Sequence, residues 1–501
     1  MEYCVSSKTM QNSDQATING GTAGYVLMDR AGKSVFDSLD WTDKKIYIFV
    51  GYGNNGGDGY ALAMHMLEHD IYPYIYEMGT NKSPTAKVFK DKLLSQGYDK
   101  FFDVAFCDYD CDIAVDCIFG VGFSRSLDDI TKDIFAKISQ SRAYVVSVDI
   151  PSGLNSDNGL GKDSVQADMT IAIQSYKLGH YLGDGKDKCG QIKVVDIGIE
   201  IIGEQVYIAD DDYAHGFFPP RLNNTNKSTY GKSVILGGCS NYAGAIKLAN
   251  IGSSALRCGC GLNVIAASRS VAKSVRGHIL DSTIFEIAEQ DDHLVFDQHI
   301  LDKLMSGVSA VAIGMGMGNS YEDNAKIIDY ILHNFNGKVL LDADGLNSLQ
   351  GRTDILNNSS CQVVITPHPK EMSRLAGISV EQVLANPLQV ARDFATTHHV
   401  TVLLKGTSTI VTNGERFMLV TNGTPALAKG GSGDVLSGTI LGLMARGIDI
   451  FDSAVVGAYI CGRASVVASE LYGEYGTLAS DTAISVGRVV GMLEKYEVNM
   501  Q

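Results

Sequence analysis

The sequence predicts an α/β protein of two domains. Three observations predict it. The chain has 501 residues, more than one core usually serves, since domains run to roughly 100–200 residues. A buried strand followed by a glycine loop and a helical pattern occurs at 45–69, and a strand running into a glycine loop recurs at 233–238. Between them, residues 208–230 are polar, carry Pro219-Pro220 and show no periodicity. The expected domains are 1–212 and 225–501, the second being larger.

In the first half, KIYIFV at 45–50 reads as a buried strand, with further strands at 72–77, 112–118, 144–150, 169–174 and 192–196. Helical patterns lie at 59–69, 84–95 and 128–140. Alternation of this kind implies a mostly parallel sheet with helices on both faces. In the second half, SVILGG at 233–238 is the first strand, followed by 262–267, 308–313, 338–342, 362–366, 401–405 and 408–412. The end is helical, at 433–446, 453–471 and 480–495.

Charge narrows the function. Lys+Arg number 41 against 57 Asp+Glu, a net charge of -16, which argues against nucleic acid or an anionic membrane as partner. Phosphate ligands remain open, because backbone N–H groups at a helix start bind them without cationic side chains. The ten cysteines form no CxxC pair, so zinc and thioredoxin-like readings are poor, and buried thiols of a reducing compartment are expected. There is no signal pattern at the N-terminus and no uninterrupted apolar run near the ~18 residues of a membrane span, so a cytoplasmic protein is the expectation.

Two glycine-rich regions carry the chemistry. GYGNNGGDG at 51–59 follows a strand and precedes a helix, where glycines let the backbone approach a ligand and leave N–H groups for a pyrophosphate. Asn54, Asn55 and Asp58 add oxygens and a charge that a plain turn does not need. DCIFGVGF at 116–123 and VDIPSG at 148–153 put Asp116 on a strand and Asp149 at a strand end. Ligands bind at the carboxyl ends of parallel strands, so the three loops converge on one crevice. Asp149 is either a general acid–base or simply the cap of its turn.

NGTPALAKGGSGDVLSG at 422–438 is the strongest motif. Gly430, Gly431, Ser432 and Gly433 precede a helix and can form an anion hole for a transferring phosphoryl group. Asp434, in the first turn, is placed to take a proton from an attacking hydroxyl; the bland alternative is an acid favoured by the helix dipole. LLKGTSTIVTNG at 403–414 reads as a strand pair whose turn, Lys405 to Thr409, can meet a nucleotide phosphate. His368, between Pro367 and Pro369, is a binding candidate or a structural histidine. GGCSNYAGA at 237–245, GMGMG at 314–318 and DADGLN at 342–347 supply more strand-end loops.

NNGGDG, DCIFGVG and DIPSG, in this order, with LMDRAG at 27–32 and KVVDIGIE at 193–200, resemble the NAD(P)H-hydrate epimerase (YjeF N-terminal) family over about residues 10–210. The resemblance implies a Rossmann-like, doubly wound domain that interconverts the R and S forms of NAD(P)H hydrated at ring carbon 6. It implies substrate contacts from Asn54, Asn55, Gly56, Gly57, Asp58, Gly120, Val121, Gly122, Phe123 and Asp149, with Asp149 catalytic. It also implies a potassium ion on Asn55, Asp116 and Ser152. Asp29, where the family usually has Glu, and TIAIQSYKLGH at 170–180, before the lysine equivalent to Lys177, depart from the pattern.

Residues 225–495 resemble the ribokinase-like ADP- or ATP-dependent NAD(P)H-hydrate dehydratases. The implication is that ADP or ATP, with Mg2+, phosphorylates the 6-hydroxyl of the S hydrate and that phosphate then leaves. Asp434 would be the base. Ala245, Gly316, His368 and Asp434 match substrate positions. Lys405, Gly406, Thr407, Ser408, Thr409, Gly430, Gly431, Ser432 and Gly433 match nucleotide positions. Lys370 and Asn241-Tyr242 depart from the pattern. The whole chain is then expected to be a two-activity repair enzyme acting on hydrated NADH and NADPH, and a homo-oligomer. The competing readings are a ribokinase-like small-molecule kinase with a non-catalytic dinucleotide-binding N-domain, and an N-domain that is only a sensor or scaffold.

Overall fold

The computed structural model describes residues 1–80, 83–251, 254–357 and 359–496. The chain divides into two compact units, Tyr3–Val206 and a second made of Met1–Glu2 with the chain from Tyr207 onward.

The first unit is built on a parallel sheet of seven strands. Their spatial order is Phe101–Asp103, Tyr74–Glu77, Ile46–Val50, Ile113–Cys117, Tyr144–Val148, Met169–Ile173 and Gln191–Val195. Counted along the chain this is 3-2-1-4-5-6-7, so the sheet's direction of growth reverses between Ile46–Val50 and Ile113–Cys117. A ligand crevice is expected at such a switch point. The two loops there touch: a Cβ on Gly51 would lie 2.0 Å from the Ile118 carbonyl oxygen, so only glycine fits.

The helix expected at 59–69 starts earlier, at Asn54, and runs to Leu67. Its glycines are therefore not loop. A Cβ at Gly57 would meet the Met28 side chain at 2.5 Å, and one at Gly59 would meet Val50 at 2.9 Å. Close packing outweighs the low helix propensity of glycine here. Two helices missing from the sequence reading, Ser7–Asn19 and Gly24–Phe36, precede the first sheet strand. The first buries only Thr9, Met10 and Ser13, too thin an apolar stripe to recognise. Its start is set by the Ser6 hydroxyl, which accepts from the Thr9 N–H at 3.1 Å.

The second unit repeats the logic on a larger scale. Its sheet runs Thr283–Ile287, Leu262–Ser268, Lys232–Leu236, Ala310–Ile313, Lys338–Leu341, Gln362–Ile365, Thr401–Leu404, Thr409–Thr412 and Phe417–Val420. The first seven are parallel neighbours and the last three form an antiparallel meander, with Leu403 opposite Val411 and Val411 opposite Met418. The switch point lies between Lys232–Leu236 and Ala310–Ile313, and the Gly238 N–H donates to the Met315 carbonyl across it at 2.9 Å.

The long helix Ile450–Gly476, interrupted at Gly473, bears on the expected absence of a membrane span. By length and composition it meets the requirement of a membrane span. No single run is apolar throughout, but few charges interrupt it. Most of its apolar window, 78%, is buried inside the protein, as befits a core helix packed against Ser432–Ala445.

Candidate active sites

The first unit holds a cavity of about 620 Å³ at its switch point. Asn54, Asn55, Asp58, Gly120, Val121, Gly122, Phe123 and Asp149 all line it, as expected. Gly56 and Gly57 do not; they are buried in the helix behind it. Asp29 also lies elsewhere, beside His65 at 3.2 Å, so its departure from the family pattern leaves the cavity untouched.

Asp116 and Ser152 sit beneath the cavity, both fully buried. One Asp116 oxygen accepts from the Ser152 hydroxyl at 2.5 Å and from the Ile118 N–H at 3.2 Å. The other accepts from the Ser147 hydroxyl at 2.9 Å and the Ser152 N–H at 2.8 Å. The Ser152 hydroxyl in turn accepts from the Phe119 N–H at 2.7 Å, so this polar knot shapes the Gly120–Phe123 loop. Burial pushes the Asp116 carboxyl up, against these hydrogen bonds. Asn55 is the exception to full satisfaction: it is 8% exposed, and neither its Oδ1 nor its Nδ2 has a hydrogen-bond partner. A Cβ on Gly120 would lie 3.3 Å from both Asn55 and the Asp149 carboxylate, so these groups frame one spot.

Asp149 follows its strand in the left-handed region, at φ 72°, a conformation that costs a non-glycine residue about 1 kcal/mol or more and clusters at functional sites. It is more than a turn cap. Its carboxylate pairs with the fully buried Lys177 ammonium, which also donates to the Ile173 carbonyl at 2.7 Å. His180 accepts from the Lys177 N–H through Nδ1 at 3.1 Å and meets the Asp149 carbonyl through Nε2 at 2.9 Å. Burial, with the Lys177 charge, pushes His180 down to about 4, so it is neutral and donates from Nε2. Lys177 and His180 come from TIAIQSYKLGH, the segment that departs from the family pattern.

One group has no motif to announce it. Asp14, on Ser7–Asn19, lines the same cavity, and burial together with the Asp149 charge raises its carboxyl to about 6. Asp58 is raised as well, by burial and by the Asp149 and Asp14 charges.

In the second unit, Asp434 lies in the first turn of Ser432–Ala445, whose N-cap, Gly431, is left-handed at φ 98°. A Cβ at Gly431 would come within 2.4 Å of Leu248, whereas one at Gly430 would meet open space. The buried Ser432 hydroxyl has no partner, an unfilled donor beside this loop. Gly433 abuts an ion pair: its Cβ would lie 3.7 Å from both the Asp342 carboxylate and the Lys405 ammonium.

That pair organises the site. Asp342, just past its strand, accepts from Lys405 at 3.1 Å and from the Ser437 hydroxyl at 2.7 Å. Lys405 also stands 3.8 Å from Glu371. Asp344 accepts from the Gly318 N–H at 2.8 Å, tying the 314–318 loop to it. Between the two aspartates Ala343 has φ 49°, strained as Asp149 is. Burial, with Asp342 and Asp344 nearby and Lys405 opposing, pushes Asp434 up to about 7. A first-turn acid favoured only by the helix dipole would move the other way.

The remaining expected residues divide. Gly316 has φ 63°, and Tyr242 and Ala245 fill the space where its side chain would be, which joins the 237–245 and 314–318 loops. His368 is the N-cap of Pro369–Ala376: its Nδ1 accepts from the Lys370 and Glu371 N–H groups at 3.1 and 3.2 Å, while Glu371 accepts from the His368 N–H at 2.9 Å. Its structural role is thus plain; Nε2 stands 3.6 Å from the buried Glu371 carboxylate, and the side chain is 46% exposed. Lys405, Gly406, Thr407 and Ser408 form the turn, and Thr409 already belongs to the next strand.

Comparison with known proteins agrees with this geometry. Residues 24–179 match the family described as YjeF-related protein N-terminus, and residues 233–485 match the family NAD(P)H-hydrate dehydratase. A bifunctional NAD(P)H-hydrate repair enzyme of Dictyoglomus turgidum is 30% identical over 91% of this chain and 92% of its own. One of Escherichia coli is 29% identical over 94% of this chain and 90% of its own. The crystal structure of an ADP/ATP-dependent NAD(P)H-hydrate dehydratase from Bacillus subtilis, with ATP and Mg2+, superposes with a TM-score of 0.51 at 26% identity, covering 58% of this chain and 99% of its own. A ribokinase-like superfamily protein of Enterococcus faecalis shares the fold, with a TM-score of 0.51 at 19% identity.

Proposed function

This chain belongs to the family of bifunctional NAD(P)H-hydrate repair enzymes, and we propose that it restores hydrated NADH and NADPH in two steps. The epimerase is assigned to residues 1–212 and the dehydratase to residues 225–501. The first interconverts the R and S hydrates. The second uses ADP or ATP to phosphorylate the 6-hydroxyl of the S hydrate, after which phosphate leaves and the dihydronicotinamide is restored. Hydroxide is a poor leaving group and phosphate a good one, which is why a nucleotide is consumed.

The observation that carries the reading is Asp434. Burial and two neighbouring carboxylates give it a proton affinity matched to neutral pH, in the first turn of a helix that follows a glycine loop. It takes the proton of the 6-hydroxyl as that oxygen attacks phosphorus. Gly430–Gly433 and the Ser432 hydroxyl hold the phosphoryl oxygens, and Lys405 supplies positive charge beside them.

Two ions fit the residues. The unpartnered, buried Asn55 oxygen, with Asp116 and Ser152, makes an all-oxygen set suited to potassium, which would hold the cavity floor in shape. Mutual repulsion among Asp342, Asp344 and Asp434 suits Mg2+ carried by the nucleotide, which would neutralise phosphate charge. Ten free thiols support a cytoplasmic location. Exposed Leu471, Tyr472 and Tyr475 support a homo-oligomer.

A coupled assay tests the reading. Purified R and S hydrates are supplied with ADP or ATP, and recovery of dihydronicotinamide absorbance and release of phosphate are recorded. Conversion of the S hydrate, and of the R hydrate at a rate set by epimerisation, is expected. A phosphorylated product that accumulates without absorbance recovery would instead identify a kinase, a reading that the near full-length repair-enzyme relatives do not favour.

A further inference from the structure

The cavity of the first unit holds three carboxyls. Asp58 and Asp149 come from motif loops; Asp14 comes from a helix without one. We infer that Asp14 is a second catalytic carboxyl of the epimerase, working with Asp149 as an acid–base pair that holds one proton; this rests on the epimerase reading above.

The chemistry needs two such groups. To invert carbon 6, its bond to oxygen breaks as the N1 lone pair forms the N1=C6 bond. The hydroxyl leaves as water only after taking a proton from an acid. Water then adds to the opposite face of carbon 6. The N1=C6 electrons return to N1, and the added water passes a proton to a base. One carboxyl loses a proton, the other gains one, and transfer through water in the cavity resets the pair. The ring carbons lose no hydrogen, so no reductant or oxidant is involved. Two carboxyls in different environments divide these roles.

The environments do differ. Asp149 is locked to the buried Lys177 ammonium, with neutral His180 behind it. Asp14 takes part in no hydrogen bond that sets its proton affinity; burial and the Asp149 charge raise it to about 6, and only Lys177 opposes them. The charged groups that line the cavity with it are Asp58 on Asn54–Leu67, Arg125, Asp149 and Lys177. Asp58 is pushed up by burial and by both aspartates. The cavity is also open to a polar ligand: Asn55, in its wall, has two buried polar atoms without a partner.

The test uses the full chain, purified R hydrate of NADH and no nucleotide, with R and S forms separated by chromatography. For the parent protein, kcat/KM should fall as pH rises through about 6, where Asp14 loses the proton it donates. Asp14→Asn should lower the rate by about 100-fold or more and abolish that limb, as loss of a general acid does. Asp14→Glu should be at least about tenfold faster than Asp14→Asn, because it restores the proton, whereas a purely structural role would favour the isosteric Asn. The inference is overturned if Asp14→Asn stays within about tenfold of the parent, if it slows but keeps the limb, or if Asn outperforms Glu. A parent protein that does not interconvert the hydrates would bring down the epimerase reading itself, and the inference with it.

Discussion

Replacing Asp434 by Asn tests the dehydratase site most sharply, because activity and stability should move in opposite directions. Asp434 must be deprotonated to act as base, and its carboxyl titrates at about 7. The charged fraction is then about one half at pH 7 and about one hundredth at pH 5, so kcat/KM for the S hydrate should fall about fifty-fold between them. Asp434→Asn should lose about 100- to 10,000-fold at pH 8 and show no such limb. Stability follows from linkage. The folded-state value lies above the ordinary 3.8, so folding binds a proton, and the stability this gives is present below 3.8 and lost as pH rises through about 7. The full shift corresponds to about 4 kcal/mol, and partial exposure reduces it to about 2. Asp434→Asn, which is never charged, should therefore be about 2 kcal/mol more stable than the parent at pH 8 and level with it at pH 4, read by urea unfolding. A variant that keeps a tenth of the activity, or is destabilised at pH 8, would refute Asp434 as a base held among repelling carboxylates.

Three more outcomes are expected. Lys177→Met strands the Asp149 carboxylate and should cost about 3–5 kcal/mol in denaturant melts, with epimerisation lost. Gly51→Ala forces a Cβ to 2.0 Å from the Ile118 oxygen; we expect about 3 kcal/mol of destabilisation in thermal unfolding and loss of epimerisation, while dehydration of pure S hydrate persists. Asn55→Ala removes no existing hydrogen bond, so stability should change by less than about 1 kcal/mol, yet any activation of epimerisation by potassium over sodium should vanish. Potassium activation that survives this change would rule out the proposed ion site.

The sequence by itself determined the two α/β units and the loops that matter. Strands such as KIYIFV and SVILGG are nearly continuous apolar runs because parallel strands are covered on both faces, and that signal is local. The glycine loops at 51–53 and 430–433 are likewise legible, since glycine lets backbone come close to a ligand or to another strand's loop, as Gly51 does to Ile118. Asp149 and Asp434 were found at strand and helix ends for the same reason.

Only the tertiary structure decided what those groups are worth. Gly57 turned out to pack its helix against Met28, from a distant part of the chain, and His368 to cap a helix through its near neighbours Lys370 and Glu371. Lys177 pairs with Asp149 across 28 positions, Lys405 with Asp342 across 63, and Asp14 enters the cavity from a helix with no motif. Proton affinity depends on burial and on charges a few ångströms away, and neither distance nor desolvation is written in residue order. A motif can thus name a carboxylate, but folding alone sets the charge that it carries.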